Sequence, residues 1–192
     1  MQRFLLLIDH LSIWSGKLFA WSVVLLTGVV CYEVFMRYVM NQPTGWAYDV
    51  GYILYGTLFV MAGAYALATH SHVRADVIYR LFPVRVQASI DLVLFIVFFM
   101  PAVAALVYAG YNFAEVSWRM GERSPYSPAG PPLYHFKALI PLSGVFLGLQ
   151  GVAEIIRSAI AIRTGKWPAR VHDVREIGED ALELGMADGG AK

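Results

Sequence analysis

The sequence predicts an all-α integral membrane protein: four transmembrane helices, short amphipathic interfacial helices, and both termini cytoplasmic. Three observations carry this reading. Of 192 residues 58% are hydrophobic and 15% charged, where a soluble domain carries roughly 25% charged, and the mean hydropathy is +0.55. The apolar residues are gathered into four runs near the ~20 residues that a ~30 Å hydrocarbon core requires. The basic residues are also divided unequally between the two sides of those runs. Composition excludes other classes as well. The apolar content excludes a disordered chain, and the single Cys31 excludes a disulfide scaffold. A formal net charge of +1 gives no reason to expect nucleic-acid binding.

Residues 1–17 read as an N-terminal interfacial helix, because Phe4, Leu7, Ile8 and Leu11 share one helical face. A cleaved signal is disfavoured: the apolar run is short, Asp9 and His10 interrupt it, and no small-residue cleavage site follows. Residues 18–163 form the four-helix transmembrane domain. Its spans run from Leu18 to about Val39, from Val50 to Thr69, from Leu92 to Ala114, and from Ala138 to about Ile156. Helices are the default for such runs, since lipid offers backbone polar groups no partners. Pro101 and Pro141 are expected to bend their helices. The turn Asn41-Gln42-Pro43-Thr44-Gly45 makes the first two spans antiparallel neighbours.

The second loop, His70 to Ser89, contains an imperfect amphipathic surface helix that Pro83 stops. The third, Ser124 to Pro132, is too rich in proline for regular structure and is expected to be an extended external loop. Residues 164–192 form a cytoplasmic tail that turns acidic and ends in glycines, the composition of a disordered end. The N-terminal segment, the second loop and the C-terminal segment hold eleven of the 15 basic residues. The other two loops, with their helix ends, hold Arg37, Arg119, Arg123 and Lys137. The positive-inside rule therefore puts both termini in the cytoplasm.

Chemistry inside the bilayer would need ligands or acid–base groups there. None of the five histidines lies deep in a span; His70 and His135 sit at opposite faces and cannot share a haem. His70, His72 and Asp76 lack a further ligand and read as membrane-surface residues rather than a metal site. No enzyme activity, cofactor or metal is expected. Glu33 and Arg37 are more informative, since ionisable groups in a span cost roughly 2.5–3.5 kcal/mol near its centre and less near its ends. Their i, i+4 spacing puts them on one helix face. Two readings stand side by side: an internal salt bridge with Arg37 snorkelling outward, or a pair that docks a partner's polar feature together with Trp46 and Asp49. One acid at one end of a span makes no proton relay. Gly144 and Gly148 form a GxxxG, a pattern whose physical use is close helix contact.

The stretch Glu33-Val34-Phe35-Met36-Arg37-Tyr38, followed by Trp46 and an acid at Asp49, resembles the small membrane subunit of tripartite ATP-independent periplasmic (TRAP) transporters. So do Gly63-Ala64, His72-Val73-Arg74-Ala75-Asp76, Ile140-Pro141-Leu142 and the run from Leu149 to Arg157. The resemblance covers about residues 10–165, with Asp49 where the family more often has Glu. It implies an accessory scaffold subunit of a sodium-coupled, binding-protein-dependent importer of an organic acid, in a bacterial inner membrane. The implied partners are a large multi-helix permease subunit, which carries the transport sites, and a periplasmic substrate-binding protein. The expected contact residues are Glu33, Arg37, Trp46, Asp49, His72, Asp76, Gly144 and Gly148, with membrane lipid around the rest. The alternatives are a membrane anchor for a redox enzyme, or a small self-contained channel or exporter.

Overall fold

In lipid a backbone can satisfy its own polar groups within one segment only as a helix, and the apolar runs are built that way throughout. The computed structural model describes residues 2–69, 82–127 and 130–168. Among these it holds four helices long and apolar enough to cross a membrane, and no strand. They are α1 (Gln2–Tyr38), α2 (Ala47–Ala68), α3 (Val84–Met120) and α4 (Tyr134–Thr164). The surface helix expected in the second loop, with His70, His72 and Asp76, and the tail beyond residue 168 lie outside the described residues.

α1 lies along α2 and α3 along α4, while α4 also touches α1 and α2 and so forms the centre of the bundle. The five-residue turn gives the antiparallel α1–α2 pair that its sequence predicts, with Asn41 in the left-handed region at φ 52°. α3 and α4 each stop at a glycine of positive φ, Gly121 at 59° and Gly165 at 71°. No side chain hinders that conformation at either position.

Pro101 has its effect one turn upstream. Residues Phe95–Phe99 of α3 form a π turn, in which the Met100 N–H donates to the Phe95 carbonyl five residues back. A proline ring crowds the carbonyl four residues before it, here that of Val97, and a wider turn relieves the crowding.

The sequence divides the chain at residue 17, but α1 has no break there. Its first turns also face differently from an interfacial helix. Asp9, Ser12 and Ser15 are turned into the bundle and buried, whereas Phe4, Leu7 and Leu11 are exposed. Ile8, grouped with the latter by helical spacing, is buried with Leu5 against Ala153. Polar groups turned inward need partners, and α4 supplies them.

The helices approach one another where side chains are missing. A Cβ at Gly144 would lie 2.7 Å from Val107 Cγ2, and one at Gly148 would lie 3.4 Å from Val103 Cγ1. The GxxxG face is thus occupied by α3 of the same chain. A Cβ at Gly16 on α1 would collide with Cβ of Tyr65 on α2, whereas one at Gly28 would meet nothing. Gly16→Ala should therefore destabilise the bundle by about 1–3 kcal/mol through overpacking. Gly28→Ala should be neutral or stabilising, because alanine favours the helix by ~1 kcal/mol. Thermal unfolding of the two purified variants in detergent measures the contrast.

Candidate functional site

The charged residues that the structure describes fall into two end zones. On α4, Lys137 and Arg157 are twenty residues apart, which at 1.5 Å per residue is about 30 Å, the thickness of a hydrocarbon core.

At one end the α1–α2 turn folds over the last turn of α1. Arg37 Nε and Nη2 donate to Glu33 Oε1 at 3.0 and 2.5 Å. The Thr44 N–H donates to Glu33 Oε2 at 3.0 Å, and the Thr44 hydroxyl donates to the same oxygen. The carboxylate is saturated and turned inward, its side chain 15% exposed, while the guanidinium stands 54% exposed. The pair is therefore internal, and what it shows to its surroundings is positive. Trp46 stacks on Tyr32, ring centroids 5.9 Å apart, which fixes the entry to α2.

Asp49, in the first turn of α2, is buried. Ser124 Oγ donates to its Oδ1 at 2.6 Å, and the Ser127 hydroxyl donates to Oδ2. A helix N-terminus also favours a negative charge there. Both carboxylate oxygens thus serve this chain and hold down the loop between α3 and α4. That loop departs from the extended form expected of it. Arg123 and Pro132 form an antiparallel bridge. The Ser124 N–H donates to the Pro131 carbonyl at 3.0 Å, and the Leu133 N–H donates to that of Glu122 at 3.0 Å. Proline removes donors from a ladder but leaves its carbonyls as acceptors, and Pro131 is used in that role. Lys137 Nζ closes the loop onto α4 with a 2.5 Å bond to Glu122, holding that carboxyl below its ordinary range. The same ammonium lies 3.9 Å from the centre of the Phe113 ring.

The opposite zone holds a cluster that sequence reasoning missed. Arg157 is fully buried; its Nη2 donates to Asp9 Oδ2 at 2.5 Å and its Nη1 to Glu154 Oε1 at 2.7 Å. Gln150 Nε2 donates to Asp9 Oδ1 at 2.9 Å, and the Ser12 hydroxyl donates to Gln150 Oε1 at 3.1 Å. Two carboxylates and one guanidinium thus tie the start of α1 to the far half of α4. Each residue was visible singly: Asp9 as an interruption of the first apolar run, and Glu154 and Arg157 within the run from Leu149 to Arg157. The legible signal was the spacing of Gln150, Glu154 and Arg157, which puts three polar side chains on one face of an otherwise apolar helix.

Of the contact residues predicted from the sequence, Glu33, Arg37, Trp46 and Asp49 share one end of the bundle. Gly144 and Gly148 lie instead against α3, and Asp49 faces inward. Among the described residues no group of three or more His, Cys, Asp or Glu is placed to hold a metal ion.

Arg157→Gln should cost about 3–5 kcal/mol, because it leaves two buried carboxylates without their cation. Asp9→Asn should cost less, since it leaves the Arg157–Glu154 pair neutral and an amide oxygen for the donors. Chemical or thermal unfolding in detergent checks the order; equal losses would show that the charge balance of the cluster is immaterial.

The sequence matches the family model described as tripartite ATP-independent periplasmic transporters, DctQ component, over residues 26–161. No curated protein matches the chain. The matched region begins within α1 and ends near the end of α4, taking in Glu33, Arg37, Asp49, Glu154 and Arg157 but not Asp9. More than two thirds of the chain lies inside it, with four helices fit to span a membrane. The chain belongs to the DctQ family, the small permease component of TRAP transporters.

Proposed function

We propose that this chain is an accessory scaffold of a sodium-coupled, binding-protein-dependent importer of an organic acid, in a bacterial inner membrane. Family membership supplies the setting, a component of a tripartite transporter. The observation that carries the scaffold role is where the charges go. They sit at the two ends of the bundle, where Asp9, Glu33, Glu122 and Glu154 are each tied to a cation of the same chain. Secondary transporters bind substrate and ion near the midplane, at broken helices with inward polar groups. A bundle held rigid at both ends suits the opposite task, bracing a larger subunit while that subunit moves. On this reading a large multi-helix permease subunit carries the transport sites, and a periplasmic binding protein delivers the substrate.

The division of basic residues supports cytoplasmic termini. The pinned loop around Tyr126 and the exposed Arg37 then lie on the periplasmic side. Trp46 acts at the partner contact; Glu33 and Arg37 act there by fixing the turn that carries it, and Asp49 by fixing the loop. His72 and Asp76 are proposed contacts at the cytoplasmic side.

Reconstitution into liposomes with a sodium gradient tests the function. Uptake should require this chain, the large subunit and the binding protein together. Uptake by this chain alone, or full uptake without it, would overturn the scaffold role. Orientation has its own test in a Cys31→Ser background, with an impermeant thiol reagent on intact spheroplasts. Tyr126→Cys should react and Ser89→Cys should not; the reverse pattern inverts the topology.

A further inference from the structure

Between α1 and α2, on the outer surface of the bundle, runs a groove of about 480 Å³. Leu26, Val29 and Val30 form one wall, Tyr52 and Tyr55 the other, and Arg37 stands at its end. We propose that this groove is a phospholipid site: one acyl chain lies between α1 and α2, and the phosphate sits on the Arg37 guanidinium.

Size decides what enters. From Leu26 to Arg37 the groove follows α1 for about 16 Å at 1.5 Å per residue. Its volume over that length gives a cross-section of roughly 30 Å². A single hydrocarbon chain can lie within it, whereas a helix, about 10–12 Å across with its side chains, could only lie over its mouth. The floor is deep because Gly51 has no side chain, and a Cβ there would meet only Leu26 Cδ1, at 3.6 Å.

Charge decides which end of the lipid is held. The walls are apolar apart from the tyrosine hydroxyls, and the end of the groove at Arg37 lies one residue before the last of α1, where headgroups begin. There the Glu33 carboxylate is turned inward and covered by its donors from Arg37 and Thr44. Arg37 is exposed, and its Nη1 bonds nothing among the described residues. The groove end therefore presents a positive fork with a free donor, the group that suits a phosphate oxygen. The neighbouring acid Asp49 is buried under Ser124 and Ser127 and does not oppose it.

The test uses the complete chain, purified in detergent, stripped of lipid and titrated with phosphatidylglycerol under native mass spectrometry. Diacylglycerol with the same acyl chains serves as the headless probe. One phosphatidylglycerol should bind at least tenfold more tightly than diacylglycerol. Arg37→Ala should lose about tenfold, and Arg37→Lys should stay within threefold of the parent. Gly51→Leu, which fills the groove and leaves the Glu33–Arg37 pair intact, should also lose about tenfold, with its unfolding temperature unchanged. Equal binding of diacylglycerol, or undiminished binding by Gly51→Leu, overturns the proposal. So does a photo-crosslinker at Val30 that captures the large subunit or a second copy of this chain, rather than lipid, in the assembled transporter.

Discussion

Arg157 is fully buried near the end of α4, and the arrangement of the bundle follows from the need to neutralise it. A guanidinium out of water costs several kcal/mol unless its charge is matched and its N–H groups have acceptors. Glu154 matches it from one turn away on the same helix, but the second acceptor, Asp9, comes from the other end of the chain. That demand turns the polar face of the first α1 turns inward and keeps α1 a single helix from Gln2. It also fixes register: sliding α1 by one turn along α4 would move Asp9 by 5.4 Å and leave its carboxylate buried without the Arg157 guanidinium. The net contribution of such a cluster to stability is small against an apolar replacement, and its use here is to permit one alignment of the two helices.

The far zone solves the same problem with different means. Glu33 and Arg37 satisfy each other within one helix turn, and Thr44 supplies further donors from the adjoining turn. Asp49 and Glu122 take up the hydroxyls and the ammonium that close the loop before α4. Glu33 and Asp49 are turned inward and take their donors from this chain, whereas Glu122 stays partly exposed beside Lys137. Between the two zones close contact replaces charge: Gly16 lies against Tyr65, Gly56 against Phe136 and Gly144 against Val107. Small residues are thus spent on holding four helices together. What remains for lipid and partner subunits is the outward stripe of large apolar side chains, from Phe4 to Trp21 on α1 and from Tyr48 to Phe59 on α2.

The same features set how such a chain fits into a transporter. Both ends are locked, and α4 binds every other helix. The π turn before Pro101 is the one departure from α geometry inside a described span, and it is accounted for by proline sterics rather than by a ligand. A groove that admits a chain but not a helix gives lipid a place in an otherwise filled pair of helices.

The sequence by itself determined the number of spans, the antiparallel first pair and the extent of α2, whereas α1, α3 and α4 run well beyond the spans read for them. These depend on hydrocarbon thickness, helix rise and local turn chemistry, all of which act over short stretches. It also put Glu33 and Arg37 on one helix face, because i, i+4 neighbours meet on any helix, and the structure decided between the two readings by pairing them within the chain. Tertiary structure alone decided the rest. Asp9 and Arg157 are 148 residues apart, and nothing local in either says which buried charge the other meets. Asp49 read as a surface contact until Ser124 and Ser127 of a distant loop were seen to cap it. Gly144 and Gly148 marked a face for close packing, yet a stripe of missing side chains carries no record of its partner; only the placement of α3 shows that the partner is within the chain.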